Sequence, residues 1–237
     1  MLILAVDSST PTVVAGLVQV NADGSQPHTV AQRILPDCRH HNEELTPAVQ
    51  VTLAEAQVTF ADLDAVVVGC GPGPFTGLRV GMASAAAYGD ALGIPVHGVC
   101  SLDAIYHQLP QTGAALVATD ARRREVYWAC YRDGARVTEP EVSAPGDVEK
   151  LLPEHPDRIS IPGYLAEQLG PLADHSELCE YYPLPEALVA CADLQETPGP
   201  LVPLYLRRPD AKEPKPKPKS PAIPDLPELV DPQCGGA

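Results

Sequence analysis

The residues Asp64-Ala65-Val66-Val67-Val68-Gly69 form a short unbroken apolar run, the pattern of a strand buried on both faces. Such a strand sits inside a sheet with helices on either side, which places the chain in the α/β class. The run leads into Gly71-Pro72-Gly73-Pro74-Phe75-Thr76-Gly77 and then into a helix over about 76–92. Around this unit, apolar β-rich runs fall at 2–6, 12–20, 29–34 and 94–99. A helical pattern at 42–56 carries Leu45, Val49, Leu53 and Ala56 on one face. Asn42 is its expected N-cap, Glu43 and Glu44 suit the positive end of the helix dipole, and Pro47 is tolerable near the first turn. Short links between the first three strands predict an antiparallel meander. A second set follows, with strands at 115–119, 125–131 and 158–162 and a helix from about Leu165. The expected architecture is two similar α/β lobes, mixed sheets flanked by helices, over 1–105 and 106–208.

Composition limits what such lobes can do. The 237 residues hold 31 acidic and 16 basic side chains, a formal net charge of −15. A surface that acidic does not grip nucleic acid by itself, because non-specific phosphate contacts need clustered Lys and Arg. It suits a basic partner. Aromatics make up only 5%, so the core is built mainly from Val, Leu, Ile and Ala. Residues 197–237 hold 11 of the 27 prolines and four of the five lysines. Lys212-Glu213-Pro214-Lys215-Pro216-Lys217-Pro218-Lys219 reads as part of an extended, disordered tail over 209–237. No apolar stretch is long enough to span a membrane, and Met1 to Asp7 reads as a first strand and not as a signal peptide. The seven cysteines form no C-x-x-C pair. Free thiols in a reducing cytoplasm are therefore expected, with neither a zinc site nor a disulfide framework.

Three segments carry candidate chemistry. Asp7-Ser8-Ser9-Thr10 offers a carboxylate, hydroxyls and backbone N–H groups, which could hold a hydrated metal and phosphate oxygens. The same residues also suit a plain polar turn. The Gly71 to Gly77 turn matches neither the dinucleotide fingerprint nor the P-loop: its third glycine comes one residue late and it has no lysine. In the helix that follows, Gly77, Gly81, Ala85 and Gly89 recur every four residues. Each glycine costs roughly 1 kcal/mol against alanine in a helix. The stripe therefore needs a close packing partner, either within the chain or on another subunit. Asp120-Ala121-Arg122-Arg123-Arg124 holds the dense basic cluster of the body, suited to phosphate, to a carboxylate-rich partner, or to a solvated hairpin loop. His40 and His41 lack metal-ligand spacing and no nucleophile elbow is present, so no metal site and no catalytic residue is expected.

Five pieces together resemble the TsaB (YeaZ) family. They are Ala5-Val6-Asp7-Ser8-Ser9-Thr10, Arg39-His40-His41-Asn42-Glu43-Glu44-Leu45, the run from Gly71 to Gly81, Asp120-Ala121-Arg122 with Glu125-Val126-Tyr127, and Pro203-Leu204-Tyr205-Leu206-Arg207. The similarity covers about 1–208, with Pro74 where a serine is more usual. It implies the actin/Hsp70-like ATPase (ASKHA) fold and a part in making threonylcarbamoyladenosine beside the anticodon of tRNAs. It implies a non-catalytic cytoplasmic subunit that pairs with a TsaD-like catalytic subunit and supports a TsaE-like ATPase and tRNA binding. Pairing through the first two helices is implied, here Leu45, Val49 and Leu53 with Gly77, Leu78, Gly81 and Ala85. The same helices could form a homodimer. On that expectation Gly81→Arg breaks pairing and spares the fold. Asp7, Ser8, Ser9 and Thr10 are then the candidate nucleotide site, and Arg122, Arg123 and Arg124 the candidate RNA or partner contact. No cofactor is expected beyond weak ATP or ADP binding by the complex. The alternative is an independent nucleotide-dependent phosphotransferase or ATPase of the same fold. A peptidase has no motif to support it.

Overall fold

The structure is a computed structural model and describes residues 1–207. The Lys-Pro tail expected over 209–237 lies outside those residues. The first lobe contains β1 (Leu2–Asp7), β2 (Val13–Gln19), β3 (His28–Leu35), α1 (His41–Glu55), β4 (Ala65–Gly69), α2 (Phe75–Leu92) and β5 (Val96–Val99). Its sheet has the order β3-β2-β1-β4-β5. The first three strands are an antiparallel meander, as the short links predict. β4 runs parallel to β1, and β5 parallel to β4. Parallel pairing requires crossovers over a face, and α1 and α2 supply them. β4 is buried along its length. Leu45, Val49, Leu53, Leu78 and Ala85 pack on Leu4, Val6, Val66 and Val68 to form one core.

Two details of the helices differ from expectation. The N-cap of α1 falls two residues early. It is His40, which makes no side-chain cap, and the His40 carbonyl accepts from the Glu43 and Glu44 N–H groups. Asn42 is inside the helix. Pro47 therefore falls in the second turn, where it offers the Glu43 carbonyl no N–H. α2 follows Pro74 and stops at Gly93, whose φ of 67° gives a left-handed C-cap suited to glycine.

The second lobe contains β6 (Ala114–Asp120), β7 (Val126–Arg132), β8 (Ala135–Arg136), β9 (Glu141–Ser143), β10 (Arg158–Ser160) and β11 (Glu177–Cys179). Their order is β11-β10-β6-β7-β8, with β9 also paired to β7. Before this sheet comes α3 (Ser101–Tyr106); within it lie α4 (Pro145–Leu151), α5 (Gly163–Ala166) and α6 (Pro171–Asp174). One face packs Leu116, Ala118 and Trp128 against Val148, Leu165 and Leu172. On the other, Leu102, Ile105 and Tyr106 of α3 pack on Val117, Ala129 and Tyr131. Ala104 of the same helix packs on the first sheet, so α3 is a wedge shared by both lobes.

The chain then returns. α7 (Pro185–Ala190) falls in the stretch read as the second lobe, yet Ala187, Leu188 and Val189 cover Ile3, Ala5 and Val67 of the first sheet. Leu188 is fully buried there. Leu188→Ala should cost about 2–5 kcal/mol. Urea unfolding of the variant checks this; an unchanged midpoint would contradict the packing of α7 on the first sheet.

Candidate functional site at two facing turns

The end of β1 and the end of β6 each carry an aspartate, and the two turns that follow border a cleft between the lobes. At the first turn Asp7 is fully buried. Its Oδ1 accepts from the backbone N–H and the hydroxyl of Ser9, both at 2.8 Å. Its Oδ2 accepts from the Ser101 hydroxyl at 2.6 Å. Ser101 Oγ in turn accepts from the Gly71 N–H at 3.2 Å. Both carboxylate oxygens are thus engaged by the chain itself. A side chain at Gly69 would overlap Asp7, and one at Gly73 would overlap the Ser9 backbone. The glycine-rich turn is therefore seated directly on the Asp7 turn. Burial raises the Asp7 pKa above its ordinary value, against the opposing hydrogen bonds from Ser101 and Ser9.

Ser8 explains the glycine stripe. Its hydroxyl donates to the Gly77 carbonyl at 2.7 Å and accepts from the Gly81 N–H at 2.9 Å. An uninterrupted helix would bond that carbonyl and N–H directly. The serine hydroxyl bonds both of these groups from outside the helix. A Cβ at Gly77 would lie 2.7 Å from the Ser8 carbonyl oxygen, and one at Gly81 2.5 Å from Ser8 Oγ. The stripe is therefore an internal packing surface. Leu45, Val49, Leu53, Leu78, Gly81 and Ala85, named from the sequence as partner contacts, are buried inside the chain, and Gly77 is half-buried. The periodicity that marks a helix face does not say whether sheet or partner covers it, and here the chain's own sheet covers these residues. The outward side of α1 and α2 instead carries Pro47, Val51, Ala54, Ala83, Ala86 and Ala87, all exposed.

At the second turn Asp120 plays a part similar to that of Asp7. Its Oδ1 accepts from the Arg122 N–H at 2.6 Å, and its Oδ2 from the Tyr164 hydroxyl at 2.9 Å. Arg122, Arg123 and Arg124 all have positive φ, 61°, 56° and 62°. Left-handed backbone costs about 1–2 kcal/mol per non-glycine residue. The surrounding bonds hold it: Glu125 N–H to the Arg122 carbonyl, and Ala121 N–H to the Glu125 carbonyl. Arg207 adds a guanidinium bond to the Ala121 carbonyl at 2.8 Å and an ion pair with Glu125.

A strap ending at Arg207 ties the turns together. The Leu204 N–H donates to the Cys70 carbonyl, Tyr205 stacks on Phe75 at 5.0 Å, and Arg79 lies over the same ring while bonding the Tyr205 hydroxyl. Ser101, Tyr164 and Tyr205 escape reading from sequence as partners of these turns. The run Pro203 to Arg207 is the signal that flags the strap. Thr10, the last of the first turn's candidates, gives its carbonyl to the His41 Nε2 at 2.9 Å. Among the described residues no group of three or more His, Cys, Asp or Glu is placed to hold a metal ion, and no helix is long and apolar enough to cross a membrane. Three of the six described free cysteines border a second cavity, and burial pushes Cys70 and Cys100 up to about 11 and Cys191 to about 12. Those thiols are protonated near neutral pH.

The paired sheets, the shared wedge and the facing aspartate turns define a two-lobed actin-like α/β protein. Residues 25–167 match the family model described as TsaD: tRNA N6-adenosine threonylcarbamoyltransferase. An uncharacterised protein of Mycobacterium leprae is 53% identical over 220 residues, 89% of this chain and 56% of its own length. The tRNA threonylcarbamoyladenosine biosynthesis protein TsaB of Escherichia coli is 36% identical over 137 residues, 56% of this chain and 55% of its own length. The chain's matches thus span just over half the length of both relatives. The solved structure of YeaZ from Pseudomonas aeruginosa superposes with a TM-score of 0.65 at 25% identity, over 80% of this chain and 89% of that one. The chain belongs to the TsaB/YeaZ family.

Two outcomes follow from the buried turn. A carboxylate whose folded pKa is raised favours the protonated folded form, so its contribution to stability falls as pH climbs from the ordinary 3.8 through the raised value. Asp7→Asn removes that contribution, so the difference in Tm between parent and variant should narrow or reverse as pH rises across that window. A difference independent of pH would show that Asp7 does not titrate there. Gly81→Arg should destabilise the isolated chain by displacing Ser8, in contrast to the expectation that it spares the fold. An unaltered Tm would refute the bridging role of Ser8.

Proposed function

We propose that the chain is a non-catalytic accessory subunit in the formation of threonylcarbamoyladenosine in tRNA. It pairs with a TsaD-like catalytic subunit and supports the action of a TsaE-like ATPase and tRNA binding. The observation that carries the accessory reading is the engagement of Asp7. Its two oxygens are bonded by Ser9 and Ser101, and the Gly73 turn rests on Ser9, so a metal–phosphate complex at this turn would compete with bonds the chain already makes. This argues against the independent phosphotransferase reading. Family membership supplies the pathway.

The pairing face in this reading is the outward side of α1 and α2. Val51 is 43% exposed, and Pro47, Ala54, Ala83, Ala86 and Ala87 of the same two helices are exposed, small and uncharged. Small residues let a second helix pair approach closely, as in a four-helix bundle. The buried stripe beneath stiffens the face without touching the partner. The same face serves a homodimer when no catalytic subunit is present.

The test is co-chromatography of the full chain with the TsaD-like subunit, read by light scattering. A 1:1 complex is expected. Ala86→Arg should abolish it while leaving the Tm of the isolated chain unchanged, since the residue is exposed. A variant complex of undiminished affinity would rule out this face. Failure of the parent chain to pair, with ATP turnover by the chain alone, would overturn the accessory reading.

A further inference from the structure

β11 is the outermost strand of the second sheet, and no strand of the described residues pairs with its outer edge. It bonds β10 through Glu177, whose N–H donates to the Asp157 carbonyl, and Cys179, whose carbonyl accepts from the Ile161 N–H. Alternate residues of a strand present their backbone groups to opposite edges, so the N–H and carbonyl of Leu178 face outward. The Leu178 side chain is exposed as well, at 44%. Beside it, α5 and α6 leave an open groove of about 530 Å³, lined by Ala166, Pro171, Ala173 and Leu178. Among the described residues its charged lining is Glu167 and Asp174, both exposed. An open apolar edge of this kind is a pairing hazard that natural sheets cover or charge.

The place where the described chain stops points to what covers it. Arg207 is bonded to the Ala121 carbonyl at 2.8 Å. The adjacent Asp120 accepts from the Tyr164 hydroxyl at 2.9 Å, and Tyr164 stands on α5, the helix that carries the groove residue Ala166. Residues 208–237 follow, and Lys212 to Lys219 hold four lysines against one glutamate. Lys212 is five residues past Arg207, an extended reach of up to about 18 Å. Lys215-Pro216-Lys217-Pro218-Lys219 alternates strictly. Laid along an edge, every second residue of an extended chain faces the neighbouring strand. The lysines can then give their N–H groups to that strand while the prolines, which have none, face away.

We propose that the Lys-Pro segment 212–219 docks along β11 of its own chain, its backbone pairing with Leu178 and its lysines meeting Glu167 and Asp174. The charges are complementary, and the docked segment closes the open edge of the second sheet. The groove lies on the second lobe and the outward face of α1 and α2 on the first, so docking and subunit pairing can fail independently.

The experiment measures backbone hydrogen exchange of the full chain at low salt, parent against Lys215→Gln, Lys217→Gln and Lys219→Gln combined. Exchange across 177–179 slower in the parent by about fivefold or more is the expected result. High salt should erase the difference. Glu167→Lys combined with Asp174→Lys, both at exposed positions, should release the edge in the same way. Equal exchange in the parent and the lysine variant overturns the proposal. Carbodiimide coupling, run on a mixture of isotope-labelled and unlabelled chains, reads the occupant. Coupling of Lys215, Lys217 or Lys219 to Glu167 or Asp174 within one chain supports the proposal. Coupling across chains places a second copy on the edge and overturns it. So does coupling spread evenly over the exposed carboxylates of the body. Protection that appears only with the TsaD-like subunit makes that subunit the occupant and overturns it too.

Discussion

The Ser8 hydroxyl occupies a position on which much of the first lobe depends. It joins the Gly77 carbonyl to the Gly81 N–H and so fastens β1 to α2 through two hydrogen bonds made inside the core. On either side of it, Asp7 is locked by Ser9 and Ser101. Ser101 opens α3, the wedge between the sheets. One four-residue turn therefore fixes the helix above the sheet, the glycine-rich turn beside it and the approach of the second lobe. The cost is a buried carboxylate with a raised pKa. The hydrogen bonds that offset it are the same ones that assemble the lobe, so a change in any of them propagates to the others.

The second lobe uses the same device with a different result. Asp120 also caps the N–H two residues on, as Asp7 does for Ser9. There, however, three arginines take up left-handed backbone in place of hydroxyls and glycines. This turn carries no serine to reach a helix, and Arg122 is 61% exposed at the cleft. One turn is sealed and the other is cationic. The strap through Tyr205 and Arg207 holds them at a fixed separation, because it bonds α2 at one end and the Ala121 carbonyl at the other.

Much of this was legible in the sequence. The unbroken run at β4 required a sheet covered on both faces, and the short early links required a meander; both are present. What the sequence hid was long-range. Nothing local at Pro185 to Ala190 says that this helix returns to the first sheet, because its burial depends on Ile3 and Ala5, far away in the chain. Asn42 has the chemistry of an N-cap, yet His41 reaches the Thr10 carbonyl and the cap falls two residues earlier, at His40. That tertiary contact outweighs a capping preference worth about 1 kcal/mol.

The glycine stripe is the instructive case. Spacing of four residues says that something approaches the helix closely; it is silent on what. Glycine at a subunit contact and glycine beneath a serine hydroxyl leave the same mark. The distinction comes from the opposite face. Buried glycines leave the outward side of α2 to alanine, a residue that costs least in a helix and least in side-chain entropy on association. A helix bonded to the sheet turn on one side and smooth on the other is rigid where a partner would land. The stripe thus records a close approach made inside the chain and leaves the far side of α2 smooth.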